Sequence, residues 1–220
     1  MRSLVLAVLF AFAFAGAASA SVYDDFKKGQ DAANRKQNAQ AIEIFTQVID
    51  SKKLGGEWLA YAHYYRGQAY RRTKKYELAI ADLIKAGELL PNFPGSYFEK
   101  ALALHGQKEY AGAIAAFDKA IELKPGDADY YYSRCVTKSW ANDTGGAQDD
   151  CQKAVDINKD YVQAWQLLGR TYEDQRNCTK AEEIYQKVLK MDPGNKPATE
   201  GLAYIRDLRD PKMEGPKCAK

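Results

Sequence analysis

The stretch Trp165-Gln166-Leu167-Leu168-Gly169-Arg170-Thr171-Tyr172 decides the fold, because it belongs to a pattern that returns along the chain at a fixed step of 34 residues. Small residues occupy one column of this pattern, at Gly67, Ala101, Cys135, Gly169 and Ala203. Two further columns run in phase with it, at Ala79, Ala113, Ala147 and Ala181 and at Ala86, Ala120, Ala154 and Val188. A fixed period of this length indicates stacked copies of one supersecondary unit.

Each copy is predicted to contain two helices joined by a turn. Spacings of three and four residues within each half are those of one helix face, and prolines close three of the copies at Pro91, Pro125 and Pro193. Two antiparallel helices can approach closely only where side chains are small. We therefore expect Gly67 to face Ala79 while the bulky Leu83 and Tyr70 interlock around them.

These residues resemble the tetratricopeptide-repeat (TPR) family. Trp165, Leu168, Gly169 and Tyr172, followed by Ala181, Tyr185 and Pro193, match the family pattern W-x2-L-G-x2-Y, A-x3-F, P, with Tyr for Phe. The resemblance implies an all-α fold, a right-handed α-solenoid spanning 21–209. Its parts are five helix-turn-helix units (22–55, 60–93, 94–127, 128–161 and 162–195), a C-terminal capping helix (197–208) and a flexible tail (210–220). The match is weakest in the first unit, which a four-residue insertion separates from the second.

The first twenty residues predict a signal peptide. A positive charge at Arg2, an apolar run from Leu4 to Phe14 and the small residues Ala18-Ser19-Ala20 are typical of a secretory signal cleaved before Ser21. Eleven apolar residues reach only about 16 Å as a helix, short of a bilayer core of about 30 Å, although an uncleaved anchor is the alternative. We therefore expect an exported protein with no stable membrane anchor after cleavage. The bacterial periplasm is favoured because the family is common there, and secretion is the alternative.

Composition argues against several classes of function. The 32 Lys and Arg residues nearly balance 29 Asp and Glu, so nothing predicts the basic stripe of a nucleic-acid-binding protein. His63 and His105 belong to no motif that joins them to a nucleophile, and the four cysteines contain no C-x-x-C pair. We expect no nucleic-acid partner, no enzymatic activity, no metal and no cofactor.

The TPR resemblance also implies where a partner protein or extended peptide binds. In the family generally, the fifth position of each unit projects into a concave groove, and here these positions hold Phe26, Tyr64, Phe98, Tyr132 and Gln166. Tyr61 and Trp140 lie nearby in the pattern, and aromatic residues are favoured anchors at interfaces. The alternative is that these rings pack against neighbouring helices.

Charges add a polarity to the predicted groove. Arg71 and Arg72 end the first helix of the second unit, whereas Glu173 and Asp174 take the equivalent places in the fifth. A partner with opposite charges at its two ends would therefore bind in one orientation. The alternative is a solvated charged surface. The function predicted from these features is a protein-interaction scaffold, with a structural subunit of an envelope complex, associating through its convex face or ends, as the second hypothesis.

Four cysteines allow three pairings, and the sequence alone does not choose among them. The TPR register implies that Cys135 and Cys151 face each other across the two helices of the fourth unit. It also implies that the tail returns Cys218 to Cys178, in the turn of the fifth unit. Disulfides at both places are the prediction, and for Cys135 and Cys151 the alternative is two small buried thiols.

Overall fold

The computed structural model describes residues 21–210 and 217–218, and all regular secondary structure in these residues is helical. The predicted signal peptide (1–20) lies outside the described residues, and so do 211–216 and 219–220 of the predicted tail. The described chain up to Gln107 forms one compact unit, here called unit 1. It contains α1 (21–34), α2 (Asn38–Asp50), α3 (Gly56–Arg72), α4 (Tyr76–Leu89) and α5 (Pro94–Gly106).

The described chain from Lys108 onward forms a second compact unit, unit 2. It contains α6 (Tyr110–Leu123), α7 (Ala128–Trp140), α8 (Thr144–Ile157), α9 (Val162–Asp174), α10 (Cys178–Met191) and α11 (Lys196–Arg209). The all-α class is confirmed in the residues described, and α11 covers the predicted capping helix.

Helices pack in the order that the repeat predicts within each unit. In unit 1, α3 packs on α4 and α4 on α5, and α3 also touches α5. In unit 2, α7 packs on α8 and α9 on α10, each second helix packs on the first helix that follows, and the first helices α7, α9 and α11 touch in sequence. Each unit therefore has one face made of first helices.

Glycines allow the two helices of a repeat to pack closely. A Cβ added to Gly67 would lie 2.8 Å from Leu83 Cγ, and one added to Gly169 would lie 2.7 Å from the ring of Tyr185. Leu83 and Tyr185 are only 1% and 3% exposed. The bulky residue of the second helix thus fills the space above the glycine, as the sequence predicts.

The fourth repeat replaces this contact with a covalent bond. Cys135 takes the glycine's place and Cys151 the bulky residue's place, and a disulfide joins them with their Cα atoms 5.4 Å apart. A second disulfide joins Cys178 to Cys218. These are the pairs that the TPR register implies.

The turns inside the repeats share a backbone conformation that sequence inspection did not identify. Lys74, Asn142 and Arg176 have φ values of 60°, 62° and 61°, in the left-handed region. The next amide then bonds back into the first helix, as Lys75 N does to Tyr70 O at 2.9 Å. This pattern satisfies the last carbonyls of a helix and normally uses glycine or asparagine.

Buried ion pairs also join the two helices of two repeats. In unit 1, Arg66 donates from Nε and Nη2 to the carboxylate of Asp82 at 2.7 and 2.8 Å. In unit 2, Arg134 makes the equivalent pair with Asp150 at 2.8 Å from Nε, and Lys138 lies 2.9 Å from the same carboxylate. Both aspartates are nearly buried, at 6% and 4% exposed.

Candidate partner-binding face

Phe26 does not belong to an open groove. Its side chain is only 3% exposed, and its ring packs edge-on against Phe45 and Trp58 at centroid distances of 5.5 and 5.1 Å. The prediction that Phe26 is available to a partner is therefore wrong, because α2 and the first turn of α3 cover it. The alternative, packing among neighbouring helices, describes this residue.

The other predicted rings of unit 1 are partly exposed. Tyr61 and Tyr64 on α3 lie edge-on to Phe93, with centroid distances of 5.2 and 4.9 Å, and Phe98 lies on the neighbouring helix α5. Phe93, which precedes α5, was not singled out from the sequence. The tyrosines are thus held mainly by another ring of unit 1.

The predicted basic end of the groove is engaged in contacts within unit 1. Arg71 Nε donates to Oε2 of Glu99 at 2.5 Å, and Glu99 is 5% exposed. Arg72 Nη1 donates to the carbonyl oxygen of Ala33, near the end of α1, at 2.8 Å. These arginines tie α3 to α5 and to α1, which favours a structural role over orientation of a partner.

Unit 2 carries a row of cavities on its first-helix face. A cavity of about 170 Å³ between α7 and α9 is lined in part by Trp140, Leu167 and Arg170. A larger one of about 450 Å³ lies between α9 and α11, and a third of about 210 Å³ adjoins it. Neighbouring cavities share residues, so they form one surface, here called the α9 face. Its defining residues are Trp140, Gln166, Leu167, Arg170, Glu173, Asp174 and Tyr204.

Large aromatic side chains stand at both ends of the α9 face. Trp140, the last residue of α7, is 64% exposed, and Tyr204 on α11 is 38% exposed. Arg176 holds Tyr204 in place, since its Nη1 donates to the phenol oxygen at 2.5 Å and its guanidinium lies 5.7 Å from the ring centre. The face therefore offers an open ring at one end and a braced ring at the other.

A hydrogen bond from a buried tyrosine holds the Glu173 carboxyl on the α9 face. Tyr185, buried between Gly169 and Gly201, donates its hydroxyl to Glu173 Oε2 at 2.8 Å. Burial raises the pKa of Glu173, and the negative charge of Asp174 adds to the effect, while the Tyr185 hydrogen bond partly opposes it. The carboxyl of Glu173 therefore has an elevated pKa and a fixed position.

Tyr132 has other contacts. Its ring lies 4.9 Å from that of Tyr161, whose hydroxyl donates to Asp129 at 2.7 Å. Burial raises the pKa of Tyr132. Of the five groove residues predicted in unit 2, the structure brings together Trp140, Gln166, Glu173 and Asp174 on the α9 face and places Tyr132 in a separate aromatic contact.

Three of the repeats also match models of a known protein family. Models of the tetratricopeptide repeat match residues 60–93, 94–127 and 162–195. The chain belongs to the TPR family. Among solved structures, MamA (residues 41 to the end) of Desulfovibrio magneticus RS-1 is similar, with 20% identity and a TM-score of 0.70 over 80% of this chain and 97% of that one. At this identity the likeness shows the TPR fold alone.

Two other similar proteins match less of the chain. The TPR domain of Arabidopsis OM64 has 26% identity and a TM-score of 0.50 over 51% of this chain and 93% of that domain. The uncharacterized protein ycf37 of Porphyra purpurea is 33% identical over 60 residues, which are 27% of this chain and 35% of the relative. The chain thus spans about a third of the length of the curated relatives that it matches.

The TPR register also explains the residues of the α9 face that the sequence analysis missed. Arg170 and Tyr204 are separated by one 34-residue step. Arg170 holds the ninth position of the fifth repeat, and Tyr204 holds the same position one repeat later, on α11. Leu167 follows the predicted Gln166 directly. The ninth position of the repeat was the signal that could have found Arg170 and Tyr204.

Proposed function

We propose that the chain is a protein-interaction scaffold and that its α9 face holds an extended segment of a partner protein. TPR proteins generally act as non-enzymatic scaffolds, and the TPR family of this chain supports a protein partner. The row of adjoining cavities beside an exposed Trp140 is the observation that carries the proposal. Exposed aromatic rings next to pockets are typical anchors of binding energy.

The spacing of the cavities favours an extended segment. The α7–α9 cavity and the α9–α11 cavity lie on either side of α9, and packed helices lie about 8–10 Å apart. An extended polyproline-type chain advances about 3.1 Å per residue, so side chains three residues apart would reach neighbouring cavities. The segment would place an apolar side chain beside Trp140 and Leu167 and a second side chain between α9 and α11.

Charge on the α9 face favours a basic residue at the second place. Three carboxylates, of Glu173, Asp174 and Glu200, line this end against Arg170 and Arg176, and Arg176 is engaged with Tyr204. A lysine or arginine of the partner would meet these carboxylates, which orients the segment and speeds its association.

An exported location accompanies this proposal. Disulfides persist in oxidising compartments, and the described residues contain two. In the part of the chain that the structure describes, no helix has the length and apolar character needed to cross a bilayer. The disulfides and the predicted signal peptide support export, and we propose the bacterial periplasm as the site of action.

Photocrosslinking in living cells tests the binding face. A photoreactive phenylalanine analogue would replace Trp140 or Tyr204 on the face, or Leu78 on α4 as a control that is 50% exposed. We expect one partner band at both face positions and none at 78, with the contacted segment identified by mass spectrometry. Equal capture at all three positions would refute the proposal.

A further inference from the structure

Helix α11 continues the 34-residue register in the place of a first helix. The 34-residue step carries Leu168 and Gly169 of α9 onto Leu202 and Ala203 of α11. In the fifth repeat Leu168 is fully buried, and α10 covers Gly169, where an added Cβ would lie 2.7 Å from Tyr185 and 3.3 Å from Ile184. The equivalent surface of α11 is thus shaped to receive a second helix.

That surface remains partly open in the structure. Leu202 and Ala203 are partly exposed, whereas Ile205 and Leu208 on the inner side of α11 are 1% and 2% exposed. A cavity of about 470 Å³ lies between α10 and α11, lined by Leu202, Ala203 and the side chains of Gln186 and Arg206 among others. This cavity is called the α10–α11 groove, and it is separate from the α9 face.

The sequence after α11 does not favour a helix in this groove. In the second repeat, the second helix begins at Tyr76, four residues after the first one ends at Arg72. After Arg209 the chain instead carries Pro211 and Pro216, and proline interrupts helices. Cys218 is bonded to Cys178, which opens α10 and is not part of the groove lining.

We propose that the α10–α11 groove binds an amphipathic helix of a partner protein, in the place that α10 takes on α9. This helix carries an aliphatic residue followed by an aromatic one, as Ile184 and Tyr185 do in α10, to cover Leu202 and Ala203. The contact is independent of the α9 face and gives the protein a second attachment point.

Charge completes the description of this partner helix. In the fifth repeat the Lys180 ammonium lies 5.4 Å from the ring centre of Tyr172. The residue one repeat after Tyr172 is Arg206 of α11, whose side chain is 80% exposed and whose Nε lies 3.8 Å from a carboxylate oxygen of Asp207; Arg209, one turn on, pairs with Glu182 at 2.5 Å. A partner residue at the place of Lys180 is therefore acidic, since it faces the Arg206 guanidinium.

A synthetic helix tests the groove directly. The probe is the α10 sequence 178–191 with Cys178→Ser and Lys180→Glu, titrated into the full disulfide-bonded protein by calorimetry. We expect saturable binding that weakens at least tenfold when Ile184 and Tyr185 of the peptide are both alanine. The peptide that retains Lys180 binds severalfold more weakly than the Lys180→Glu peptide.

Matched protein variants locate the binding. Ala203→Glu and Leu202→Glu place a charge on a partly exposed surface, and circular dichroism checks that each folds; both should weaken binding at least tenfold. Glu200→Arg, at a residue that lines the α9–α11 cavity and not the α10–α11 groove, should leave peptide binding unchanged although it alters the α9 face. No binding at about 1 mM peptide, or equal binding to Ala203→Glu, would overturn the proposal. Sedimentation showing a dimer that Ala203→Glu dissociates would do so too, since a second copy would then fill the groove.

Discussion

Replacing Asp82 by asparagine removes the carboxylate that joins α3 to α4. Asp82 accepts two hydrogen bonds from Arg66 and lies 2.8 Å from His63 Nδ1. Burial by itself raises the pKa of this carboxyl, but the hydrogen bonds and charges of Arg66 and His63 outweigh burial, and the pKa lies below its usual range. The neutral amide would leave the guanidinium of Arg66 in the protein without its counter-charge.

The expected loss of stability is about 3 kcal/mol at pH 7, the lower end of the range of about 3–5 kcal/mol for breaking a buried ion pair. The lower end applies because the Arg66 side chain is 16% exposed and keeps a hydrogen bond of 3.1 Å to Thr46. Urea unfolding monitored by circular dichroism measures the loss, with exposed Asp174→Asn as the control.

The effect should depend on pH with a definite sign. Because the folded state lowers the pKa of Asp82, its carboxylate stabilises the fold above the unfolded pKa of about 3.9, and this stabilisation is lost as the pH falls through the lower folded value. The difference between wild type and Asp82→Asn should therefore shrink below about pH 4. Equal stabilities at pH 7, or a difference that stays constant down to pH 2, would refute the reasoning.

Further predictions concern single contacts. Cys135→Ser with Cys151→Ser opens a loop of about 15 residues and should lower the free energy of unfolding by about 3 kcal/mol, measured in denaturant; non-reducing peptide mapping that recovered both thiols free would contradict the bond. Glu173→Gln should raise the melting temperature at pH 7 but not at pH 4. The pKa of Glu173 is raised, so the fold favours the protonated carboxyl, and the stability that protonation provides is lost as the pH rises. A larger gain in melting temperature at pH 4 than at pH 7 would contradict this reasoning. Gly67→Ala should cost about 1–3 kcal/mol because its Cβ would overlap a buried leucine, whereas Gly126→Ala, with open space around it, should stay within about 0.5 kcal/mol; similar losses at both sites would count against close packing.

The repeat made the core predictable from the sequence. A column of small residues and a column of bulky ones, in phase, require that Gly67 meets Leu83 and that Gly169 meets Tyr185, and both contacts are present. The same register placed Cys135 opposite another cysteine of its repeat. These relations need only the period and the antiparallel packing of two helices.

Buried polar contacts were harder to predict, since the repeat pattern is defined by its small and apolar positions. Arg66 and Asp82 are 16 residues apart, and so are Arg134 and Asp150, two repeats later. This repeated separation was the available signal. An arginine and an aspartate on helices normally indicate solvent exposure, and only the packing of the two helices shows that they are paired and buried.

The candidate site was predicted only in part because position along a helix does not show what covers a side chain. Phe26 and Gln166 hold the same position in their repeats, but Trp58 packs over Phe26, while Gln166 lines an open cavity. Arg71 was placed correctly at the end of α3, but Glu99 on α5 pairs with it. Such neighbours come from other repeats, and the pattern of one repeat does not reveal them.

The claim that the α9 face holds a partner segment is tested most directly by one affinity. This is the affinity of the crosslinked segment for the double variant Trp140→Ala, Leu167→Ala. Both side chains line the α7–α9 cavity, and anchors of this kind cost about 2 kcal/mol or more each when truncated. We predict that the segment binds the variant at least a hundredfold more weakly than wild type, while Leu78→Ala binds as wild type does. An affinity within twofold of wild type for the double variant would contradict the account.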